Sequence, residues 1–133
     1  MGEIQALTER LKLAEVVRFH GFLTQRQLRP LLEAADLLVL SSRHETGPLV
    51  TLEAAIAGVP TVGTHVGHVA EWAPYGAMSV PVGDRAGLAA SIRRLLDDEE
   101  LRLAIAREAQ RRASREDADH TAMRFRALYA RLA

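Results

Sequence analysis

Two glutamates and the turn between them are the residues of this 133-residue sequence best suited to chemistry. Glu45 and Glu53 flank the turn Thr46-Gly47-Pro48, which leads into a helix-like run that begins at Leu49. A carboxylate accepts paired hydrogen bonds from neighbouring hydroxyls, such as those of a ribose or a hexose. A helix N-terminus offers free N–H groups and a partial positive charge, and both attract phosphate. The pattern therefore favours a ligand with a sugar at each end of a diphosphate.

The turn has one feature that suits a close approach to phosphate and one that works against it. Gly47 lets the backbone come near a ligand because it has no side chain. Pro48 at the first helical position would lack only an N–H that a helix does not use, but this also removes one phosphate donor. Spacing alone leaves open an exposed loop acid at position 45 and an ordinary helix glutamate at position 53. The amides that remain for phosphate are those of Thr46, Gly47, Leu49 and Val50.

Two other groups of residues suggest different chemistry with weaker support. His44, His65 and His68 suggest a metal site, since His65 and His68 have a ligand-like spacing, but no clear carboxylate or third ligand is evident. We therefore expect no metal and interpret all three as loop histidines. Ser41 or Ser42 with a histidine would suit a hydrolase, but the sequence contains no Gly-x-Ser-x-Gly elbow.

Alternating strands and helices must position these residues. Apolar stretches at residues 16–19, 37–40, 60–64 and 77–80 are predicted to be strands. The alternation implies right-handed crossovers and a parallel sheet. The sequence thus predicts an α/β fold that is Rossmann-like, with three α/β/α layers and a parallel sheet of about four strands. The predicted helices include residues 3–13, 24–35, 49–57, 84–96, 101–113 and 117–132.

Composition argues against several classes of function. Hydrophobic residues make up 48% of the chain and charged residues 26%, which is typical of a globular domain. The formal net charge is zero, so we expect no nucleic-acid partner. The sequence has no cysteine, which excludes disulfides and fits a reducing compartment. No apolar run approaches the roughly 20 residues of a transmembrane helix.

Five motifs in register give the sequence its resemblance to a known family. The motifs are Arg18-Phe19-His20-Gly21-Phe22, Ala34-Ala35-Asp36-Leu37-Leu38-Val39-Leu40-Ser41-Ser42, the Glu45 and Glu53 pair, Glu53-Ala54-Ala55-Ile56-Ala57-Gly58-Val59-Pro60-Thr61-Val62, and Val80-Pro81-Val82-Gly83-Asp84. They cover nearly the whole chain, which resembles the C-terminal, donor-binding domain of the large retaining glycosyltransferase family of GT-B fold, the glycosyl transferases group 1. This family includes bacterial mannosyl- and glucosyltransferases.

The resemblance implies a role for each part of the motif. The full-length parent would transfer a hexosyl group from a nucleotide-diphosphate-sugar donor to an acceptor, with retention at the anomeric carbon. Glu45 would contact the donor sugar as the catalytic residue, and the segment Thr46-Gly47-Pro48-Leu49-Val50 would contact sugar and phosphate. Glu53 would hold the ribose, and the loop Gly21-Phe22-Leu23 would pack against the nucleobase. No cofactor or metal is implied, because the nucleotide sugar is a substrate.

The sequence departs from the family pattern at two places. The family commonly has Gly-Phe-Gly after the first glutamate, whereas Thr46-Gly47-Pro48 shifts the glycine and deletes one amide. Where the family often has two glycines after a valine, this chain has Gly67-His68. The basic side chain of His68 could therefore contact a phosphate or a sugar.

The resemblance also predicts that this chain is one part of a longer enzyme. We expect a single nucleotide-sugar-binding domain over residues 1–133, a truncated GT-B C-terminal domain without the acceptor domain and the leading strand–helix–strand unit. A complete small α/β domain is the alternative. The fragment would be inactive alone and could self-associate through an unpaired sheet edge. The parent would be cytoplasmic, in part at the inner membrane surface. The competing hypothesis is a non-catalytic module of the same fold that binds a partner protein.

Overall fold

Three short parallel strands form the centre of this computed structural model, which describes residues 2–115 and 118–131. They are β1 (Leu38–Leu40), β2 (Thr61–Thr64) and β3 (Met78–Val80), in the spatial order β1-β2-β3. The described helices are α1 (Gly2–Arg10), α2 (Gln25–Glu33), α3 (Leu49–Ile56), α4 (Gly67–Trp72), α5 (Arg85–Asp97), α6 (Glu99–Arg115) and α7 (Ala118–Tyr129).

Helices cover both faces of the sheet. Successive side chains of a strand point to opposite faces, so Val62 of β2 and its register neighbour Met78 of β3 share one face. On that face they pack with Leu95 of α5 and Ile105 of α6. On the opposite face, Leu40 of β1 packs against a buried cluster contributed by α3, α4 and α6. The predicted α/β/α layering and the parallel sheet are therefore confirmed.

The prediction of a strand at residues 16–19 is wrong. The N–H groups of Val16 and Val17 both donate to the carbonyl oxygen of Leu13, at 3.0 and 2.9 Å. These turn bonds use the donors that a strand would offer to a neighbour, and both valine side chains are exposed. The sheet thus has three strands rather than about four, and within the described residues β1 pairs only with β2.

The last helix carries large apolar side chains on the surface. Helix α7 lies within the predicted helix at residues 117–132, although Asp117 and Leu132 are outside the described residues. Met123 and Tyr129 are 62% and 66% exposed. Neither α7 nor any other helix in the described part of the chain is long and apolar enough to cross a lipid bilayer.

A buried cluster packs α3, α4 and α6 together. Trp72 of α4 is 2% exposed and packs with Ala55 of α3 and Ala113 of α6. Because the strands are parallel, the loops after β1 and β2 leave the same edge of the sheet, where open α/β sheets bind ligands. The loop at residues 41–48 and the turn at residues 65–66 are therefore neighbours.

Candidate functional site

Hydrogen bonds join the loop that carries Glu45 to the end of β2. The hydroxyl of Ser42 donates to Oε1 of Glu45 at 2.7 Å. Thr64, the last residue of β2, donates its hydroxyl to the carbonyl oxygen of Ser42. The Glu45 side chain is half-buried, and its Oε2 has no hydrogen-bond partner among the described residues. One carboxylate oxygen is therefore held in place and the other remains for a ligand.

Gly67 packs the turn after β2 against the loop after β1. Its φ is +48°, a conformation that favours glycine. A Cβ atom at this position would lie 3.0 Å from Cδ of Pro48 and 3.1 Å from Cβ of Glu45. Carbon atoms in ordinary contact are about 3.5–4.0 Å apart. Both the backbone conformation and the available space therefore disfavour a side chain at Gly67.

The start of α3 keeps free backbone donors in spite of its proline. Pro48 is the N-cap of α3, whereas it was predicted to be the first helical residue. Its φ is −67° and its ψ is 123°. The N–H of Thr51 donates to the carbonyl oxygen of Pro48 at 3.1 Å. The N–H groups of Leu49 and Val50 precede this bond and have no partner among the described residues. These two donors can bind an anion.

His68 lies against the turn that precedes α3. A Cβ atom at Gly47 would be 3.1 Å from Nε2 of His68, so the imidazole covers the glycine. Nδ1 of His68 is 3.0 Å from Oε2 of Glu71, and the ring stacks on Trp72 with centroids 5.3 Å apart. The His68 side chain is only 18% exposed. The fold thus brings His68 together with the loop of Glu45, as the sequence allowed.

Glu53 lies on a different part of this surface, between α2 and α3. Nε2 of Gln25 donates to Oε1 of Glu53 at 3.4 Å, and both residues line a cavity of about 450 Å³ with mainly apolar walls. Glu45 lines another cavity of about 490 Å³ with His44 and Thr46. The two glutamates are therefore on separate cavities, with the first turn of α3 between them.

The predicted nucleobase loop approaches Glu53 through its C-terminal end. Gly21 has φ +65°. Phe22 is 95% exposed, and Leu23 is half-buried. Gln25, two residues further on, makes the hydrogen bond to Glu53. The loop is thus on the Glu53 side of the site, with the aromatic ring of Phe22 open to solvent.

An arginine of α6 supports the end of α4. Nη1 of Arg112 donates to the carbonyl oxygen of Glu71 at 3.3 Å, and its Nε donates to Oε1 of Glu108 at 2.7 Å. Arg111 also donates to Glu108, with Nε 2.9 Å from Oε2. Hydrogen bonds from Arg111 and Arg112 lower the pKa of the Glu108 carboxyl. This cluster holds the backbone that carries the carboxylate partner of His68.

A cavity of about 890 Å³ opens beside His68, between α4 and α7. Leu52 and Glu71 line it on one side, and Arg124 and Phe125 line it on the α7 side. No role was predicted for α7, which contributes Arg124, or for the turn after it, which contributes Arg131. Positively charged side chains from the C-terminal end of the chain therefore line the same cavity as His68.

The histidines of the β2–α4 turn make hydrogen bonds to protein groups. Nδ1 of His65 is 3.1 Å from Oγ of Ser79, and His68 pairs with Glu71. Within residues 2–115 and 118–131, no three His, Cys, Asp or Glu side chains form a group that could hold a metal ion.

Comparison with known proteins establishes the family. The profile of the family described as "Glycosyl transferases group 1" matches residues 2–112 of this chain. The chain belongs to this family. A glycogen synthase of Mycobacterium tuberculosis (strain ATCC 25618 / H37Rv) is 40% identical over 103 residues, which are 76% of this chain and 25% of that protein.

Solved structures of glycosyltransferases share the fold of this group 1 chain. Sucrose-phosphate synthase (tll1590) from Thermosynechococcus elongatus superposes with a TM-score of 0.85 at 26% identity, over 97% of this chain and 33% of that one. Anabaena Alr3699/HepE in complex with UDP gives a TM-score of 0.77 at 28% identity, over 86% of this chain and 32% of that one. The predicted likeness to GT-B glycosyltransferases is confirmed. The group 1 chain spans about a quarter to a third of the length of these proteins.

Three supporting residues of the group 1 site were not predicted. Ser42 fixes Glu45, Gln25 contacts Glu53, and Glu71 pairs with His68. His68 and Glu71 are three residues apart, which places them on one face of a helix, so their contact could have been predicted from the sequence. Gln25 and Glu53 are 28 residues apart, and no local pattern predicts their contact.

Proposed function

We propose that this group 1 domain binds the nucleotide-diphosphate-sugar donor of a hexosyltransferase, whose parent enzyme transfers the sugar with retention of configuration. The start of α3 carries the proposal, because the free N–H groups of Leu49 and Val50 lie between Glu45 and Glu53 in the chain. Such a helix start attracts phosphate, and carboxylates attract sugar hydroxyls. The UDP bound to the related HepE structure supports this class of donor.

In this proposal the donor lies along the segment from Glu45 to Glu53. Glu45, the proposed catalytic residue, contacts hydroxyls of the transferred sugar through its free oxygen. The segment from Thr46 to Val50 contacts the sugar and the diphosphate, and His68 is a further phosphate or sugar contact. Glu53 accepts hydrogen bonds from the ribose, and the loop Gly21-Phe22-Leu23 packs against the nucleobase beside it.

The proposed reaction exchanges one bond at the anomeric carbon for another. The bond from this carbon to the diphosphate breaks, and its electron pair leaves with the nucleoside diphosphate. A hydroxyl of the acceptor forms the new bond on the same face of the sugar and passes its proton to an oxygen of the departing diphosphate. The partial positive charge at the start of α3 stabilises the leaving group, and the proposal includes no metal or other cofactor. We place the acceptor site elsewhere in the parent enzyme, which would act in the cytoplasm, in part at the inner membrane surface.

Nuclear magnetic resonance titration of the ¹⁵N-labelled chain tests donor binding. We expect one of UDP-glucose, GDP-mannose and ADP-glucose to shift the amides of Gly47, Leu49 and Val50 at millimolar concentration. Glu53→Ala should weaken this binding about tenfold or more, because a hydrogen bond to a charged group contributes about 1.5–3 kcal/mol. Glu9→Ala, on the exposed surface of α1, should bind as the wild type does.

Two results would contradict the proposal. The first is a wild-type chain that binds none of the three sugars together with a full-length parent that transfers none from a panel of nucleotide sugars. This result would favour the non-catalytic module of the same fold. The second is binding that shifts only amides remote from α3, which would place the ligand at another site.

A further inference from the structure

Three contacts fix the orientation of the His68 imidazole. The ring stacks on Trp72, which is 2% exposed, with an interplanar angle of 22°. Its Nδ1 is 3.0 Å from a carboxylate oxygen of Glu71. An ionised carboxylate only accepts hydrogen bonds, so Nδ1 must carry the proton. The other nitrogen, Nε2, faces the turn at Gly47.

Gly47 provides the space that the imidazole occupies. A side chain at this position would begin 3.1 Å from Nε2 and 3.4 Å from Cε1 of His68. The next residue, Pro48, has no N–H to offer a phosphate. His68 therefore presents a nitrogen beside the point where the backbone lacks a donor. When the ring is protonated, this nitrogen is an N–H donor with a positive charge.

Charged groups from several elements surround the ring. Glu71 contacts it from α4, and Arg112 of α6 donates to the carbonyl oxygen of Glu71. Glu45 contacts the neighbouring Gly67 from the loop after β1. Across the cavity, α7 contributes His120 and Arg124, and the turn that follows α7 contributes Arg131. Arg112 is already paired with Glu108, so the positive charge available to a diphosphate in this cavity comes from Arg124 and Arg131.

We propose that His68 is a diphosphate-binding residue whose protonated Nε2 donates to the donor's phosphate, and that Glu71 is the residue that positions it. This inference rests on the proposed function and deepens it, because it makes donor binding depend on pH. A neutral ring with its proton on Nδ1 would present only a lone pair to the phosphate oxygen. Binding should therefore be tighter at pH 6 than at pH 8, because Nε2 can donate to the phosphate only when the ring carries a proton on both nitrogens.

The test measures affinity for UDP-glucose, GDP-mannose and ADP-glucose at pH 6 and pH 8. Both phosphates of a nucleotide sugar are diesters and keep their charge across this range, unlike a terminal phosphate, which titrates near pH 6. For the sugar that binds, we expect about fivefold tighter binding at pH 6, the net effect of one additional hydrogen bond. His68→Gln should remove this difference. His65→Gln, a control in the same turn whose partner is Ser79, should retain it.

The positioning role of Glu71 has a spectroscopic readout. In wild type, ¹⁵N shifts of the His68 ring should show the proton of the neutral ring on Nδ1. Glu71→Ala should move that proton toward Nε2 and reduce the pH dependence of binding. Glu71→Gln keeps an acceptor oxygen and should restore the wild-type tautomer. An unchanged tautomer in Glu71→Ala would overturn the positioning role.

These outcomes distinguish a failure of the role proposed for His68 from a failure of the proposed donor binding. If a nucleotide sugar binds equally well at both pH values, or if His68→Gln keeps the difference, His68 is not the diphosphate-binding residue although the proposed function stands. If none of the three nucleotide sugars binds the wild type, this inference fails, whereas the proposed function fails only if the full-length parent also transfers none.

Discussion

Replacing Gly67 with alanine tests how the two loops of the site pack. The new methyl group would lie 3.0 Å from Cδ of Pro48 and 3.1 Å from Cβ of Glu45, which is about half an ångström inside ordinary carbon contact. Neither atom can rotate away, because one is in a ring and the other is bonded to the backbone. The φ of +48° adds about 1–2 kcal/mol for a residue with a Cβ atom. With overpacking of about 1–3 kcal/mol, Gly67→Ala should lower the free energy of unfolding by about 2–5 kcal/mol.

The same substitution should weaken donor binding, because the clash displaces Glu45. We expect about three- to tenfold lower affinity for the nucleotide sugar, since small misplacements of binding groups have large effects. Urea denaturation and titration measure the two effects. Gly58→Ala is the matched control: its φ is +78°, and its nearest contact would be Nε2 of Gln110 at 4.0 Å. It should cost only about 1–2 kcal/mol and leave binding unchanged. If Gly67→Ala costs no more than this control and binds normally, the packing argument is refuted.

Three further predictions concern stability and association. The arginine partners of Glu108 lower its pKa, so its contribution is present above the pKa of an unfolded glutamate and is lost as the pH falls through the lower folded-state pKa. The melting temperature of wild type should therefore exceed that of Glu108→Gln at pH 7 and converge with it in acid; a constant difference would contradict this. The hydroxyl of Thr51 is buried without a partner among the described residues, so Thr51→Val should change the free energy of unfolding in urea by less than about 1 kcal/mol, or raise it. The free edge of β1 should support self-association, and a strictly monomeric sedimentation profile at high concentration would exclude it.

The strands show which structural features local sequence could predict. The fully apolar residues 37–40 predicted β1 because a strand covered on both faces needs apolar side chains at each position. Residues 16–19, three of which are apolar, were also predicted to be a strand but do not form one. A strand exists only if a neighbour accepts its backbone hydrogen bonds. That neighbour is a property of the tertiary fold, which the pattern at residues 16–19 does not contain.

The site shows the same division between local and distant contacts. The order of Glu45, the turn and α3 was predictable because all three are adjacent in sequence. Pro48 is the N-cap rather than the first helical residue. Its fixed φ is compatible with both positions, so the sequence did not distinguish them. The contact of Gln25 with Glu53 and the cavity beside α7 depend on how helices pack. Helical periodicity predicts each helix, but it does not specify its neighbours.

The contacts around Gly67 limit which segments can be exchanged between this chain and its relatives. Thr64 bonds to the loop after β1, and Gly67 fits between Glu45 and Pro48. A chimera that receives only residues 41–48 from another enzyme would place foreign side chains against an unchanged turn. The segments 41–48 and 64–68 should therefore be transplanted as one cassette, and recombination between them should yield poorly folded hybrids.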